Sequence, residues 1–262
     1  MDKFYFTVAY ILAGIIGLCV GSFLNVVIYR LPNKMNLAKP NSHCTSCNYS
    51  LRWYDNIPVL SYLMLGGKCR KCKTHISCRY MIVELANAAL WVLCVLLFWE
   101  KSIALACVYA LVCSVFVCIF CIDLEHKIIF DRFQVILLIL AILSIFFDKS
   151  YTWGSHLLGG LVGFGLFFLV AWVFEKISQK EGLGGGDVKL ACVAGLLLGW
   201  ERLIFALVIA TVPAAIIMSI VKRGKEGEEK EFPFAPFLII GFTIAMFFGT
   251  PILTWYLSFL GL

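Results

Sequence analysis

The sequence predicts an all-α polytopic membrane protein with about eight transmembrane helices and a small cytoplasmic zinc-ribbon-like domain between helices 1 and 2. Hydrophobic residues make up 61% of the 262 positions and charged residues only 15%, whereas soluble domains average roughly 45–50% and 25%. Several apolar runs approach or exceed the ~20 residues that a helix needs to cross a bilayer. Two closely spaced cysteine pairs in one polar segment predict the zinc-binding domain.

The apolar runs set the predicted domain boundaries. Residues 1–30 are expected to form the first helix, residues 31–80 the cytoplasmic cysteine domain, and residues 81–262 a seven-helix membrane core. The first run contains Asn25 and lacks a small-residue cleavage site, so we expect a retained helix in which Asn25 makes an interhelical hydrogen bond. The eight predicted helices span roughly residues 5–29, 81–99, 102–122, 133–147, 154–174, 188–200, 203–221 and 235–259.

The distribution of lysine and arginine predicts the orientation in the membrane. Eighteen of the 22 basic residues fall on one face of the predicted topology. The positive-inside rule places that face in the cytoplasm, and both termini are then expected outside. The net charge of +6 therefore predicts contact with anionic lipid headgroups and not with nucleic acid, for which the chain carries no motif.

The polar segment between the first two helices contains two C-x2-C pairs separated by 21 residues. Four thiolates in such turns form a ligand set for one Zn²⁺ ion. The alternatives to zinc are disulfides and unliganded thiols. A reducing cytoplasm disfavours disulfides. About 50 residues form too small a core to be stable without a cross-link, which favours zinc over unliganded thiols. The adjoining His43 and His75 are expected to be solvated. The predicted zinc ligands are Cys44, Cys47, Cys69 and Cys72.

Two aspartates share one predicted membrane depth. Asp123 ends the third long apolar helix and Asp187 opens the sixth, both at the cytoplasmic face. Ionisable side chains that border membrane helices are functional candidates because their burial is expensive. The alternative is that each residue marks where a helix leaves the lipid, with Asp187 as a helix N-cap. That alternative is weaker for Asp123, since a carboxylate near a helix C-terminus opposes the macrodipole.

The glycines that precede Asp187 favour the functional reading. The stretch GLGGGD fits neither a phosphate-binding loop nor a dinucleotide fingerprint. Gly184 and Gly186 instead allow an extended peptide to approach the carboxylate, and a short sixth helix would admit water there. Two carboxylates, water and room for a peptide are the requirements of aspartic protease chemistry. Lys189 is expected to be a snorkelling lysine that helps to position substrate, and Asp131 is expected to be the N-cap of the fourth helix.

Several motifs, taken together and in order, resemble the type IV prepilin peptidases, which are membrane aspartic proteases of the GxGD kind. The resemblance implies that Asp123 and Asp187 are the catalytic pair. It also implies a bacterial inner-membrane enzyme that cleaves the basic leader of prepilins or pseudopilins after glycine at the cytoplasmic face. The cysteine domain is typical of the longer form, which then methylates the new N-terminus with S-adenosylmethionine. The motifs are GSFLNVVIYRLP, the CxxC pairs, RYMIVE, ID, GLGGGDVKL and PFAPFL.

The expected mechanism uses one water between the two aspartates. Helix-terminus electrostatics favour Asp187 as the initial base and Asp123 as the acid. The alternative from another functional class is a non-enzymatic ion-coupled transporter in which the two aspartates are ion sites. A third reading is a GxGD protease that acts on other membrane substrates.

Overall fold

The computed structural model describes residues 3–178, 184–223 and 233–259, and every long regular element in those ranges is a helix. The all-α prediction is confirmed, and each of the eight predicted helices has a counterpart. Two further short elements lie in the cysteine domain. The elements are α1 (Lys3–Arg30), a 3-10 helix (Trp53–Asn56), α2 (Leu60–Met64), α3 (Arg79–Phe98), α4 (Ile103–His126), α5 (Asp131–Phe147), α6 (Trp153–Ser178), α7 (Gly185–Leu198), α8 (Trp200–Arg223) and α9 (Ala235–Phe259).

Six of these helices, α1, α3, α4, α6, α8 and α9, are long and apolar enough to cross a membrane. The other two predicted spans are shorter, since α5 has 17 residues and α7 has 14. At 1.5 Å per residue, α7 is about 21 Å long, well below the roughly 30 Å hydrocarbon core of a bilayer. The short sixth membrane helix expected from the sequence is therefore present.

The chain divides into two compact units, residues 1–118 and residues 119–262, with the boundary inside α4. The first unit holds α1, the cysteine segment, α2, α3 and most of α4. The second unit holds the end of α4 and all of α5 to α9. The sequence-based division at residues 30 and 80 follows the expected functions of the segments and stays a prediction.

In the first unit, α1 packs along α3 through small residues. A Cβ added at Gly17 would lie 2.8 Å from the Cα of Ala88, so only glycine allows this approach. Polar side chains then join the two helices: Asn87 Nδ2 donates a hydrogen bond to the Gly17 carbonyl at 2.7 Å. Asn25 Nδ2 donates to the Tyr80 carbonyl at 3.0 Å. The interhelical hydrogen bond predicted for Asn25 is thus confirmed.

In the second unit, α7 lies among α5, α6, α8 and α9 and crosses α6 with its backbone in contact. Gly159 and Gly163 on α6 face Ala191 and Gly195 on α7, so each helix contributes two small residues spaced four apart. A Cβ added at Gly159 would lie 2.8 Å from the carbonyl carbon of Gly199, and one added at Gly163 equally close to that of Ala191. Such pairs of small residues are how membrane helices approach each other closely, and here they fix α7 against α6.

A buried ion pair lies at the C-terminal end of α7. Arg202 Nη2 is 3.0 Å from Asp148 Oδ2, and the two side chains are 3% and 4% exposed. Arg202 Nε also donates to the carbonyl of Leu198, the last residue of α7, at 2.6 Å, and the guanidinium lies over the ring of Tyr151 at 4.3 Å. Carbonyl groups at a helix end have no intrahelical partner, so Arg202 satisfies one of them and anchors α7.

Candidate active site and metal centre

The N-terminus of α7 places Asp187 in the first turn of the helix. Gly184 is the N-cap, in an extended conformation, and the Asp187 backbone N–H donates to the Gly184 carbonyl at 3.0 Å. The Asp187 side chain is therefore not the helix cap. One of its carboxylate oxygens, Oδ1, is buried and has no hydrogen-bond partner among the described residues.

Asp123 occupies the last turn of α4 and is 5% exposed. Its carboxylate accepts a hydrogen bond from the backbone N–H of Ala235, the first residue of α9, and lies in the electrostatic field of Lys127. The other oxygen, Oδ2, is buried without a partner in the described part of the chain. The PFAPFL motif thus begins α9 at the point where its N-terminus meets Asp123.

The two aspartates belong to the same compact unit and interact electrostatically. Each presents one buried oxygen that has no hydrogen-bond partner among the described residues. A buried polar atom left in this state costs about 1–3 kcal/mol, and a water molecule or a peptide group would satisfy it. Two interacting carboxyls, each able to make a further hydrogen bond, are the groups that acid–base hydrolysis requires.

Two glycines that the sequence singled out have different surroundings. Gly186 packs on the segment before α5, since an added Cβ would lie 3.0 Å from Ile129 Cβ, and its carbonyl accepts a hydrogen bond from Gln134 Nε2 at 3.1 Å. Gly184 is exposed and a Cβ there would meet only the Asp187 carboxylate, at 3.5 Å. Gln134 was missed in the sequence reasoning, although an amide in the apolar run of α5 was a signal for it.

Lys189 and Asp131 pair with each other. Lys189 Nζ lies 2.6 Å from Asp131 Oδ1, with side chains 56% and 75% exposed. Asp131 is the first residue of α5, and the N-cap is Phe130 with no side-chain cap bond. The N-cap prediction for Asp131 was therefore wrong by one position. A substrate-positioning role for Gly184, Gly186 and Lys189 stays a prediction.

The four predicted zinc ligands converge on one point, with all sulfur atoms within 4.8 Å of one another. Cys44 Sγ and Cys72 Sγ are 3.7 Å apart, and Cys47 Sγ and Cys69 Sγ are 4.0 Å apart. A tetrahedron with Zn–S bonds of about 2.3 Å has S–S edges of about 3.8 Å. Disulfide sulfurs would lie at about 2.05 Å, so this geometry fits a tetrahedral metal ion and not two disulfides.

Two matched turns produce this geometry. In the first, the Cys44 N–H donates to the Tyr49 carbonyl, and Asn48 adopts a left-handed φ of 54°. In the second, the Cys69 N–H donates to the Thr74 carbonyl, and Lys73 adopts a φ of 59°. Each turn therefore points both of its cysteines at the same centre, and neither His43 nor His75 belongs to the four-residue cluster.

The local environment also favours a thiolate at one of these ligands. Hydrogen bonds from the hydroxyl and backbone of Thr74 lower the pKa of Cys72 to about 6. Metal ligation requires deprotonated cysteine, so a lowered pKa assists binding at neutral pH. The donor set and its chemistry are compatible with zinc.

A buried carboxylate braces the loop between the two turns. Asp55 has a side chain only 1% exposed, and its Oδ1 accepts a hydrogen bond from Arg70 Nε at 2.7 Å. Burial alone would raise the pKa of Asp55, but hydrogen bonds from Arg70 and from the Arg52 backbone outweigh it and lower the pKa below its usual value. Asp55 thereby ties this loop to the second cysteine turn.

Taken together, these features define a helical membrane protein with two interacting buried carboxyls and a four-cysteine cluster that is compatible with a metal ion. Comparison with known families agrees with this class. Residues 15–98 match the bacterial peptidase A24 N-terminal domain, and residues 109–219 match the type IV leader peptidase family. The chain belongs to the type IV leader peptidase family.

Curated relatives extend the match to nearly the full length. A protein of Pseudomonas aeruginosa named prepilin leader peptidase/N-methyltransferase is 34% identical, over 94% of this chain and 93% of its own length. Proteins of the same name from Burkholderia pseudomallei and Aeromonas salmonicida are 34% and 32% identical, over 90% and 97% of this chain and 84% and 94% of their own lengths. No solved structure shows a significant match to this chain.

Proposed function

We propose that this protein is an aspartic endopeptidase of the bacterial inner membrane that removes the basic leader of type IV prepilins or pseudopilins after glycine. The observation that carries the proposal is that Asp123 and Asp187 lie in one unit and interact electrostatically, each with a buried oxygen that has no hydrogen-bond partner among the described residues. Membership of the type IV leader peptidase family favours this function over the ion-coupled transporter.

Hydrolysis by this pair uses one water and leaves the two carboxyls with exchanged protonation states, so one proton must return from one carboxyl to the other, or exchange with solvent, before the next turnover. One carboxylate takes a proton as the water oxygen attacks the scissile carbonyl carbon. The other, protonated carboxyl gives its proton as the C–N bond breaks and the new amine leaves. The products are the free leader and a mature chain with a new α-amino group.

The contact between Asp123 and α9 helps to decide which carboxyl is the general base and which is the general acid. The ends of α4 and α7, the helices that carry the two residues, favoured Asp187 as the initial base, but the N-terminus of α9 also contributes. The Ala235 N–H donates to Asp123, and an N–H at a helix N-terminus favours an acceptor with negative charge. We therefore assign Asp123 as the group that takes the proton from water and Asp187 as the group that donates one.

The names of the relatives support a second activity, N-methylation of the new terminus. When bound, S-adenosylmethionine would supply the methyl group for the new α-amino group, with S-adenosylhomocysteine and one proton as the other products. In the same proposal, Cys44, Cys47, Cys69 and Cys72 would hold Zn²⁺ as a structural cross-link of the cysteine domain.

Charge distribution supports the orientation of substrate. The positive-inside rule places the basic loops, the cysteine domain and both aspartates toward the cytoplasm, with the termini outside. The same rule holds the basic leader of a prepilin in the cytoplasm while its apolar segment spans the membrane. The cleavage junction then lies at the depth of Asp123 and Asp187.

The test is cleavage of a prepilin-like substrate by the full-length protein in lipid nanodiscs, followed by mass spectrometry. We expect cleavage after glycine, and a gain of one methyl group when S-adenosylmethionine is present. Asp123→Asn and Asp187→Asn should each lower kcat for cleavage by about 10²–10⁴-fold, because each removes one member of the acid–base pair.

Asp131→Asn is the matched control, since it removes an exposed carboxyl eight positions after Asp123, and its kcat should stay within threefold of wild type. Wild-type kcat in both Asp123→Asn and Asp187→Asn would contradict the assigned site. An intact substrate with well-folded wild-type protein would instead favour another membrane substrate or the transporter.

A further inference from the structure

A cavity of about 680 Å³ lies in the first compact unit, between the α1 and α3 helices and the polar segment that joins them. Its size falls within the roughly 300–1,000 Å³ of small-molecule binding sites. All of its lining residues lie between positions 19 and 84, so it is separate from Asp123 and Asp187. The peptidase mechanism makes no use of it.

One wall of the cavity carries the buried carboxylate of Glu84. Glu84 is 8% exposed, and its Oε2 accepts a hydrogen bond from the Val59 N–H at 2.8 Å. Its other partner among the described residues is the Ser22 hydroxyl, so both of its donors are neutral. A buried charge is costly unless an opposite charge meets it. The carboxylate therefore favours a cationic occupant of the cavity.

The loop that covers this wall is held in an uncommon conformation. Val59 has φ 60° and ψ −50°, and the Leu60 N–H donates to the Pro58 carbonyl, which closes a three-residue γ-turn. A β-branched residue rarely adopts a positive φ, and such strain persists where surrounding contacts enforce it, often at ligand sites. Here the contact that enforces the conformation is the hydrogen bond from the Val59 N–H to Glu84. The same carboxylate therefore favours a cation in the cavity and holds the loop in its shape.

The helix that follows the turn supplies a further part of the wall. Ser61 and Tyr62 of α2 line the cavity, and Tyr80 of α3 lines it as well. The Tyr62 hydroxyl donates to the Ile76 carbonyl at 3.3 Å, which orients its ring. Asp55 also lines the cavity but is paired with Arg70, whereas the described donors to Glu84 are neutral. Aromatic rings and such a carboxylate are complementary to a ligand that joins a flat heterocycle to a positive charge.

We propose that this cavity binds S-adenosylmethionine, with the sulfonium beside Glu84 and the adenine against the tyrosine rings. The inference rests on the proposed methyltransferase activity and adds the residues that bind the methyl donor. The competing occupant is a phospholipid, and its binding is one outcome of the test below.

The first experiment measures equilibrium binding of radiolabelled S-adenosylmethionine to the full-length protein in nanodiscs, without peptide substrate. Ser61→Trp fills the cavity and should therefore weaken S-adenosylmethionine binding at least tenfold. The Ser61 side chain makes no hydrogen bond among the described residues, so the substitution breaks none. Met64→Trp is the matched control: it adds the same side chain on the same helix at a residue that is 77% exposed and does not line the cavity. Both variants should keep wild-type leader cleavage.

A second variant tests the charge separately from folding. Glu84→Gln should weaken S-adenosylmethionine at least tenfold but S-adenosylhomocysteine, whose sulfur is neutral, less than threefold. A structural defect would weaken both ligands equally, and that result would overturn the role of Glu84. Ultraviolet crosslinking of bound S-adenosylmethionine to the wild-type protein should label only peptides within residues 19–84.

The outcomes separate this inference from the proposed function. Wild-type affinity in Ser61→Trp, or labelling only outside residues 19–84, overturns the cavity assignment even when cleavage and methylation proceed. A phospholipid that Ser61→Trp expels while S-adenosylmethionine binding persists also overturns it. Absence of S-adenosylmethionine binding to wild-type protein, with leader cleavage intact, overturns the inference and the methyltransferase activity together but leaves the peptidase standing.

Discussion

Replacing Gly195 with alanine tests whether the crossing of α6 and α7 positions Asp187, one of the two proposed catalytic residues. The added Cβ would lie 2.9 Å from the Gly160 nitrogen and closer still to the Gly159 carbonyl, whereas ordinary contact begins at 3.4 Å. Backbone cannot rotate away as a side chain can, so the helices must separate by about 0.5–1 Å at the crossing. Asp187 lies eight residues from Gly195 on the same helix, about 12 Å along its axis, and shifts with it.

A displacement of about 1 Å at a catalytic group can lower the rate about 100-fold. We therefore expect Gly195→Ala to lower kcat for leader cleavage by about 10- to 100-fold while the protein still folds. The assay is single-turnover cleavage of the prepilin-like substrate in nanodiscs, with thermal unfolding of the same preparation.

Gly165→Ala is the matched control on α6, because a Cβ there meets no atom within 4 Å. It should keep kcat within twofold of wild type, and alanine is the better helix former by about 1 kcal/mol. A folded Gly195→Ala protein with wild-type kcat would refute the idea that this crossing sets the position of Asp187.

Two further predictions concern stability and metal content. Arg202→Met should lower the free energy of unfolding by about 3–5 kcal/mol, because it removes the guanidinium that pairs with the buried Asp148 carboxylate. Lys189→Met, which breaks the exposed ion pair with Asp131, should lower it by less than about 1 kcal/mol. Equal losses in chemical unfolding would contradict the assigned burial. Cys72→Ser should lower bound zinc from one ion per chain toward zero and reduce the melting temperature, as measured by elemental analysis and thermal unfolding. Cys78→Ser, an exposed cysteine outside the cluster, is the control, and zinc retained in Cys72→Ser would count against the four-cysteine site.

The helices and the metal centre could be predicted because local sequence encodes them. Apolar runs of sufficient length define the membrane helices, so the predicted span 133–147 differs from α5 by only two residues at its start. The C-x2-C spacing likewise predicts four converging thiols, because each pair lies within one short turn. Asn25 was predictable for a related reason, since an amide within an apolar run needs a partner on a neighbouring helix.

The contacts around the aspartates could not be predicted in the same way, because they join segments far apart in the chain. Gln134 reaches Gly186 across 52 positions, and Lys189 reaches Asp131 across 58. The approach of Ala235 to Asp123 depends on how α9 packs, and no local pattern in the α4 segment indicates it. The alternative reading of Asp187 as the cap of its own helix is wrong for a more local reason, since the extended Gly184, three residues earlier, is the N-cap.

The backbone contact between α6 and α7 joins two helices of unequal length. The 26 residues of α6 extend about 39 Å, longer than a typical hydrocarbon core, while α7 extends only about 21 Å. A membrane accommodates a long helix by tilting it and a short helix by thinning around it. Because α6 and α7 are in backbone contact at their glycines, α6 cannot tilt without also moving α7. We therefore expect a change in bilayer thickness to shift Asp187 through the backbone contacts at this crossing.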